Sequence, residues 1–173
     1  MVHLTTPRLV LSDVDEQDVD GLLAVALSNP RFTGHAEGSD GIPGLFDRGM
    51  LERDLAVAEL DPARHPLAVR LRADDRVVGW ADLLEHHPRD GVPWIGLLEL
   101  HADVQRQGYG REAAGALAQW ARERGAPALR LGVDDGNDAA LAFWTSLGYV
   151  EVDRRERRGP SGPLAVAVLE LRL

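Results

Sequence analysis

The chain lacks cysteine altogether, which excludes thiolate nucleophiles, thiolate zinc sites and disulfide scaffolds. It also has few basic residues, with 19 Lys and Arg against 28 Asp and Glu, so the formal net charge is −9. That excess of acids argues against nucleic acid or an anionic membrane as a partner and favours cationic partners. No hydrophobic run near the start of the chain is long enough to cross a bilayer. The longest, from Gly21 to Leu27, is far shorter than the roughly 20 residues that a membrane span needs.

A length of 173 residues fits one domain spanning residues 1–173, which can bury enough surface to fold without a metal or a disulfide. The segment from Met1 to Arg8 has no basic start followed by an apolar stretch of the kind that directs export. We therefore expect a cytoplasmic protein with no membrane segment.

Hydrophobic periodicity predicts an α/β domain. Its elements, in chain order, are a strand, two helices, three strands, a helix, a strand, a helix and two strands. The three consecutive strands are "PLAVRLR", "RVVGWADLLEHH" and "WIGLLELH", and the last of them is almost continuously apolar, as a central strand covered on both faces would be. From Asn29 to Gly49, glycines and prolines break every pattern and predict a long loop with one short helical turn near Phe46. Loops of this length are uncommon unless they are functional.

The segment "LELHADVQRQGYGRE" runs from a buried strand through a glycine-bearing turn directly into an amphipathic helix. Gly108 and Gly110 let the backbone approach a ligand closely, and the first free amides of the helix favour an anion such as a phosphate. Arg106 and Arg111 add positive charge at the same place. A tight strand-to-helix connection with no ligand is the alternative. The P-loop signature is absent, and the dinucleotide fingerprint would need differently placed strands.

Two motifs in this part of the chain resemble the GNAT superfamily of N-acyltransferases. "QRQGYG" fits that family's Gln/Arg-x-x-Gly-x-Gly/Ala motif for acyl-CoA, and "NDAALAFWTSLGY" is similar to its second conserved segment. The opening "TPRLVL" also resembles the RimJ/RimL-like branch, so the resemblance covers most of the chain. The chain departs from the pattern in the glycine-rich stretch from Gly34 to Gly49, where the family has its variable substrate-binding element.

The resemblance implies a single domain with a mostly antiparallel, mixed sheet of six or seven strands and helices on both faces. The fourth and fifth predicted strands would splay apart and admit the pantetheine arm of acetyl-CoA, the co-substrate. The residues expected to bind it are Leu98, Leu100, Gln105, Arg106, Gln107, Gly108, Tyr109, Gly110, Arg111, Asn137, Phe143 and Trp144. Because adjacent helical side chains diverge by about 100°, we expect Phe143 to face the core and Trp144 to face the cofactor in part.

Glu99 is the candidate general base, because it is a carboxylate in an otherwise apolar strand, where desolvation would raise its pKa. The alternative is a carboxylate that pairs with an arginine or reaches solvent. Asp82, Glu85 and His101 are further candidates for the base. Many members of the resembled family have a tyrosine where Trp144 stands, so the identity of a general acid is open.

No metal site is expected, because His86 and His87 follow Glu85 directly and adjacent strand residues point to opposite faces. The basic run from Arg154 to Arg158 is typical of a solvated outer strand, although a phosphate or partner role stays open.

The sequence thus predicts an acyl-CoA-dependent N-acetyltransferase that acts on a small-molecule or peptide amine, without nucleic acid or membrane partners. The resemblance adds a possible homodimer. The alternative is a non-catalytic sensor that binds acyl-CoA or a nucleotide phosphate.

Overall fold

The structure, a computed structural model, describes residues 1–29, 46–159 and 162–173. Its strands are β1 His3–Thr5, β2 Leu9–Asp13, β3 Arg64–Leu71, β4 Val77–Leu84, β5 Trp94–Leu100, β6 Ala128–Asp134, β7 Val150–Gly159 and β8 Gly162–Arg172. Its helices are α1 Val19–Ser28, α2 Arg48–Ala58, α3 Tyr109–Glu123 and α4 Asp138–Ser146. The predicted α/β class and element order are confirmed. The loop predicted from Asn29 to Gly49 lies largely outside the described residues, and α2 begins at Arg48, where the Asp47 side chain caps it.

The described strands form one eight-stranded sheet in the order β1-β2-β3-β4-β5-β6-β8-β7. Every neighbouring pair is antiparallel except β5 and β6, which are parallel. The sheet therefore has one strand more than the six or seven expected. The additional strand is β1, which has only three residues and pairs with β2 before the Thr6–Pro7 turn.

The parallel pair β5 and β6 separates soon after it forms. Only Trp94 and Ile95 of β5 have partners in β6, whereas β5 stays paired with β4 as far as Leu100. A register shift in the β4–β5 ladder leaves Gly96 as an extra residue in β5, and such a bulge bends a strand. The predicted splay between the fourth and fifth strands is therefore found between β5 and β6.

Each face of the sheet carries its own helices and its own apolar cluster. On one face α1 and α2 pack over Trp80 of β4, and Leu22 of α1 and Leu51 of α2 are fully buried in this cluster. On the other face α3 packs through Leu117 and Trp120 in a larger cluster that also holds Trp144 of α4. Because burying a large apolar side chain stabilises a fold by roughly 1.5–3 kcal/mol, these clusters fix the helices that flank the splay.

The outer strand β7 carries the basic run. Arg154 and Arg157 are exposed and bind nearby acids, as expected for a solvated strand, but Arg155 is largely covered and donates to Asp90 at 2.6 Å. Among the described residues no helix has the length and apolar character needed to span a bilayer.

Candidate active site

The glycine-bearing turn lies at the open end of the splay, between the end of β5 and the start of α3. Arg106 and Gly108 both adopt left-handed backbone conformations, with φ values of 64° and 86°. The first hydrogen bond of the helix runs from the Glu112 amide to the Gly108 carbonyl, at 3.1 Å. No described residue accepts a hydrogen bond from the amides of residues 106–111. Convergent free amides at a helix start bind anions, so the turn fits a phosphate group.

The turn is braced from outside by the segment that joins β1 to β2. Arg8 donates from Nη1 to the Gln107 carbonyl at 3.1 Å, and its guanidinium lies 4.2 Å from the centre of the Tyr109 ring. Glu112 of α3 accepts from Thr6 Oγ1 at 2.6 Å, from Arg8 N at 2.8 Å and from Arg8 Nε at 2.7 Å. The sequence pattern does not mark Arg8 or Glu112 as part of the site, although Arg8 lies in "TPRLVL" and Glu112 in "LELHADVQRQGYGRE".

The second half of α4 lies against the turn through Phe143 and Ser146. Asn137 is exposed and caps α4 by accepting from the Ala140 amide at 3.2 Å, which accounts for its place in the motif without a ligand. Phe143 is half-buried and lies against Gly110: a Cβ placed on that glycine would be 3.4 Å from the ring.

The expectation that Phe143 faces the core and Trp144 the cofactor was wrong. Trp144 is 7% exposed and packs edge-on against Tyr149, with ring centres 5.1 Å apart. The indole of Trp144 lies in the apolar cluster, and Phe143, about 100° further round the helix, packs against the edge of the same cluster and lies over the turn.

At the carboxyl-terminal end of β5, fewer backbone groups are free to bind a ligand than the sequence suggests. The His101 amide donates to Val78 of β4, so the backbone groups of Leu100 and Leu98, which alternate with it, face the gap between β5 and β6. The Leu100 carbonyl already accepts from Asn29 Nδ2 at 3.0 Å and from Gln105 Nε2 at 2.9 Å. The Gln105 side chain is therefore turned toward β5, and of the two expected backbone partners Leu98 is the one that lies deeper in the gap.

Glu99 lies on the face of the sheet that α1 and α2 cover, directly across from Trp80 in the neighbouring strand. Burial raises the pKa of its carboxyl to about 8, and a hydrogen bond from the Asn29 side chain opposes part of that rise. No arginine, lysine or histidine among the described residues forms an ion pair with it. Within the described part of the chain, therefore, nothing supports the alternative in which an arginine pairs with Glu99.

The other candidate bases are engaged elsewhere. Asp82 is buried and held by Arg64, whose Nη2 lies 2.6 Å from Oδ2. Glu85 lies 3.1 Å from His65 Nε2, and His101 bonds to a carboxylate two residues further along. Within the described ranges no three potential metal ligands come together.

The comparisons with known proteins agree with this geometry. Residues 17–149 match the model of the acetyltransferase (GNAT) family. The chain therefore belongs to the GNAT acetyltransferases, whose general reaction is acetyl transfer and which typically use acetyl-CoA. The predicted family is confirmed.

Several solved structures share the fold over nearly the whole chain. A Vibrio cholerae protein assigned as a ribosomal-protein-serine acetyltransferase has a TM-score of 0.80 at 20% identity, covering 99% of this chain and 98% of its own. An acetyltransferase from Thermus thermophilus gives 0.70 at 26% identity, with coverage of 98% and 100%. The ribosomal-protein-S18-alanine N-acetyltransferase from Escherichia coli gives 0.63 at 18% identity, with coverage of 95% and 93%. Comparison with curated protein sequences gave no match.

Proposed function

We propose that the protein moves an acetyl group from acetyl-CoA to a primary amine by direct attack, with both substrates bound at once and no covalent enzyme intermediate. The observation that carries this proposal is the set of amides from Arg106 to Arg111, which have no acceptor among the described residues and follow the end of β5, where β5 has separated from β6. A gap beside a strand accepts an extended amide-bearing chain, and an anion-binding turn at its mouth accepts a diphosphate.

Acetyl-CoA supplies an activated thioester, and the residues of the turn would hold it. The amides of the turn and the charges of Arg106 and Arg111 would bind the diphosphate. The backbone of Leu98 would pair with the pantetheine arm along the open edge of β5. Phe143 would cover the other side, because its ring already lies over Gly110.

Glu99 would act as the general base. An alkylammonium group with a pKa of about 10 must lose a proton before its nitrogen can attack a carbonyl carbon. With a pKa of about 8, about one in ten Glu99 side chains is ionised at pH 7, and that fraction rises steeply to pH 9. Glu99 would take the proton directly or through water, and the Leu98 amide would stabilise the negative charge that develops on the carbonyl oxygen.

No tyrosine of the chain is placed to protonate the departing thiolate. Tyr109 lies in the turn beneath Arg8, and Tyr149 is buried, with its pKa raised by desolvation. The indole of Trp144 has no titratable proton to give. The C–S bond would therefore break with the thiolate leaving unassisted or taking a proton from water, which a thiol pKa of about 8.5 tolerates.

The acceptor is proposed as the free amine of a peptide or of a small molecule. Two structural neighbours are described as acting on ribosomal proteins, which makes peptides with a free amino terminus the first acceptors to test. The excess of acidic residues suits a cationic acceptor, so polyamines come next. The proposal includes a cytoplasmic location, and size-exclusion chromatography tests the homodimer that the family resemblance implies.

The test combines binding with turnover. Calorimetry measures the affinity for acetyl-CoA, and a thiol-release assay measures turnover with peptides beginning in Ser or Ala and with spermidine. Glu99→Gln should keep the affinity and lower turnover by about 100-fold or more. Glu156→Gln, an exposed carboxylate of β7, is the matched control and should change neither. Full turnover of Glu99→Gln between pH 6 and pH 9 would refute the assignment of the base.

A second candidate function, a non-catalytic acyl-CoA sensor, is favoured by one observation: a buried tryptophan stands where many members of the family have a tyrosine. Acetyl-CoA binding without thiol release on every amine tested would select the sensor over the enzyme.

A further inference from the structure

The gap between β5 and β6 is closed at one end by the pairing of Ile95 with Leu131. The next residue of each strand is a glycine, Gly96 in β5 and Gly132 in β6, and both are exposed. Neither glycine has a left-handed backbone that would require this residue type. At the closed end of the gap, therefore, neither strand contributes a side chain, and the backbone is open to a small group.

The closed end is where the acyl group would lie in the proposed binding mode. The diphosphate would bind at the turn beyond Leu100, and the pantetheine arm would extend back along the open edge of β5. At a rise of about 3.3 Å per residue, that edge is about 13 Å long from Leu100 to Gly96. Because the thioester ends the arm, the acyl chain would point toward Ile95, and its permitted length depends on what stands there.

The indole of Trp94 stands at this closed end. Its Cζ3 lies 3.7 Å from the position that a Cβ on Gly132 would take, so the ring reaches from β5 across to β6. The same Cβ would lie 2.8 Å from Val166 Cγ1 of β8, so the indole and the valine border the glycine together. Trp94 is 9% exposed, and its Nε1 has no hydrogen-bond partner within the described part of the chain. The ring is therefore an apolar wall at the end of the gap.

The ring of Trp94 is held in place by its neighbours. His87 stacks on it with ring centres 4.3 Å apart, and the guanidinium carbon of Arg155 lies 5.5 Å from the ring centre. Asp90 joins these two residues, because it accepts from Arg155 Nη2 at 2.6 Å and lies 3.2 Å from His87 Nδ1. Arg130, the partner of Trp94 in β6, lies 3.4 Å from the same carboxylate. A side chain held by so many contacts does not move aside at low cost.

We propose that Trp94 determines the acyl specificity of the protein, admitting acetyl and excluding butyryl and longer straight chains. This inference rests on the proposed binding of acetyl-CoA in the gap between β5 and β6. It does not rest on turnover, because the affinity for a series of acyl-CoA thioesters is measured without an acceptor amine.

The test is calorimetry with acetyl-, propionyl- and butyryl-CoA. In wild type, butyryl-CoA should bind at least about tenfold more weakly than acetyl-CoA, because its two further methylene groups meet a fixed ring. Trp94→Leu removes the part of the ring that reaches β6 and should reduce this ratio of Kd values to about threefold or less, chiefly by tightening the binding of butyryl-CoA. Trp94→Phe disturbs the packing less and should give an intermediate ratio, so it carries the test if Trp94→Leu does not fold.

Trp120→Leu is the matched control. Trp120 of α3 is 2% exposed and packs edge-on against His65 of β3, with ring centres 6.5 Å apart. Like that of Trp94, its Nε1 has no hydrogen-bond partner among the described residues, so the two substitutions remove equivalent groups. Trp120→Leu should lower the melting temperature but leave the ratio of Kd values as in wild type, because β3 is separated from β5 by β4.

The outcomes separate this inference from the proposed function. A wild-type ratio near one, or the same ratio in the Trp94 variants as in Trp120→Leu, overturns the role of Trp94 even if the protein binds acetyl-CoA and releases thiol. No binding of acetyl-CoA by wild type overturns the proposed function and this inference with it. A ratio that falls only in the Trp94 variants supports the inference, whether or not any amine is acetylated.

Discussion

Replacing Gly108 with valine tests the anion-binding turn at its centre. Gly108 has φ of 86°, and a side chain in that left-handed region costs roughly 1–2 kcal/mol, with a β-branched residue at the upper end. The new Cβ would meet only Arg8 Nη2, at 3.3 Å. Because this atom is the far end of a long flexible side chain, the contact adds little to the loss of folding free energy. Total stability is typically about 5–15 kcal/mol, so the variant should fold, with a melting temperature lower by about 4–8 °C.

The effect of Gly108→Val on binding should be much larger than its effect on folding. The methyl groups would stand among the amides that are proposed to hold the diphosphate. Losing one or two hydrogen bonds to a charged group costs about 2–4 kcal/mol, which corresponds to about 30- to 1000-fold in Kd for acetyl-CoA. Calorimetry with acetyl-CoA measures this loss.

Gly125→Val is the matched control. Gly125 follows the other end of α3 with φ of 71° and has open space around its missing Cβ. The substitution should therefore cause similar backbone strain, and a similar loss of thermal stability, far from the turn. If Gly108→Val and Gly125→Val bound acetyl-CoA equally well, the amides of the turn would not be the diphosphate site.

Two further substitutions test the braces of the turn. Glu112→Gln should destabilise the fold by about 1–2 kcal/mol at pH 7, because bonds from Thr6 and Arg8 lose a charged acceptor that is only partly exposed. Burial alone would raise the pKa of the Glu112 carboxyl, but the bonds from Thr6 and Arg8 outweigh burial and lower it. The stabilisation of the fold by charged Glu112 is therefore fully present above its ordinary pKa of 4.5, and it is lost as the pH falls through the lower pKa of the folded state. Thermal melts at pH 7 and pH 3 should therefore show a gap between wild type and variant that closes in acid. Phe143→Ala should weaken acetyl-CoA binding about tenfold by removing the ring over Gly110, and Phe143→Leu should recover most of it in the same calorimetric assay.

The fold was predictable to the extent that its signals are local. Seven of the eight described strands have five residues or more, which is long enough for a pattern of apolar and polar residues to identify them. β1 was missed because three residues cannot show a period, and only its pairing with β2 makes it a strand. The glycine-bearing turn was predictable for the same reason as the longer strands, because strand, glycines and helix follow one another directly in the chain.

The side chains that hold the turn were not predictable from local pattern. Arg8 and Glu112 are 104 residues apart, and Asn29 and Gln105 are 76 apart, so nothing in either neighbourhood marks the contact. The raised pKa of Glu99 was expected from its apolar strand, but the hydrogen bond that limits the rise was not. The relative burial of adjacent aromatic side chains in α4 depends on which ring packs into the apolar cluster beside Tyr149, and helical spacing alone does not decide that.

The same turn is therefore held from two sides by parts of the first third of the chain. Arg8 donates to the Gln107 carbonyl on one side of the turn, and the Asn29 side chain accepts from Gln105, the first residue of the turn, on the other. Two left-handed residues in so short a turn would be costly to order on binding, since fixing each residue costs about 1–2 kcal/mol. Because these contacts order the turn in the absence of a ligand, the proposed binding of a diphosphate would lose no free energy in ordering it. It follows that removing Arg8 and Gln105 together should weaken acetyl-CoA binding more than the product of the two single effects, since either brace alone still restrains the turn.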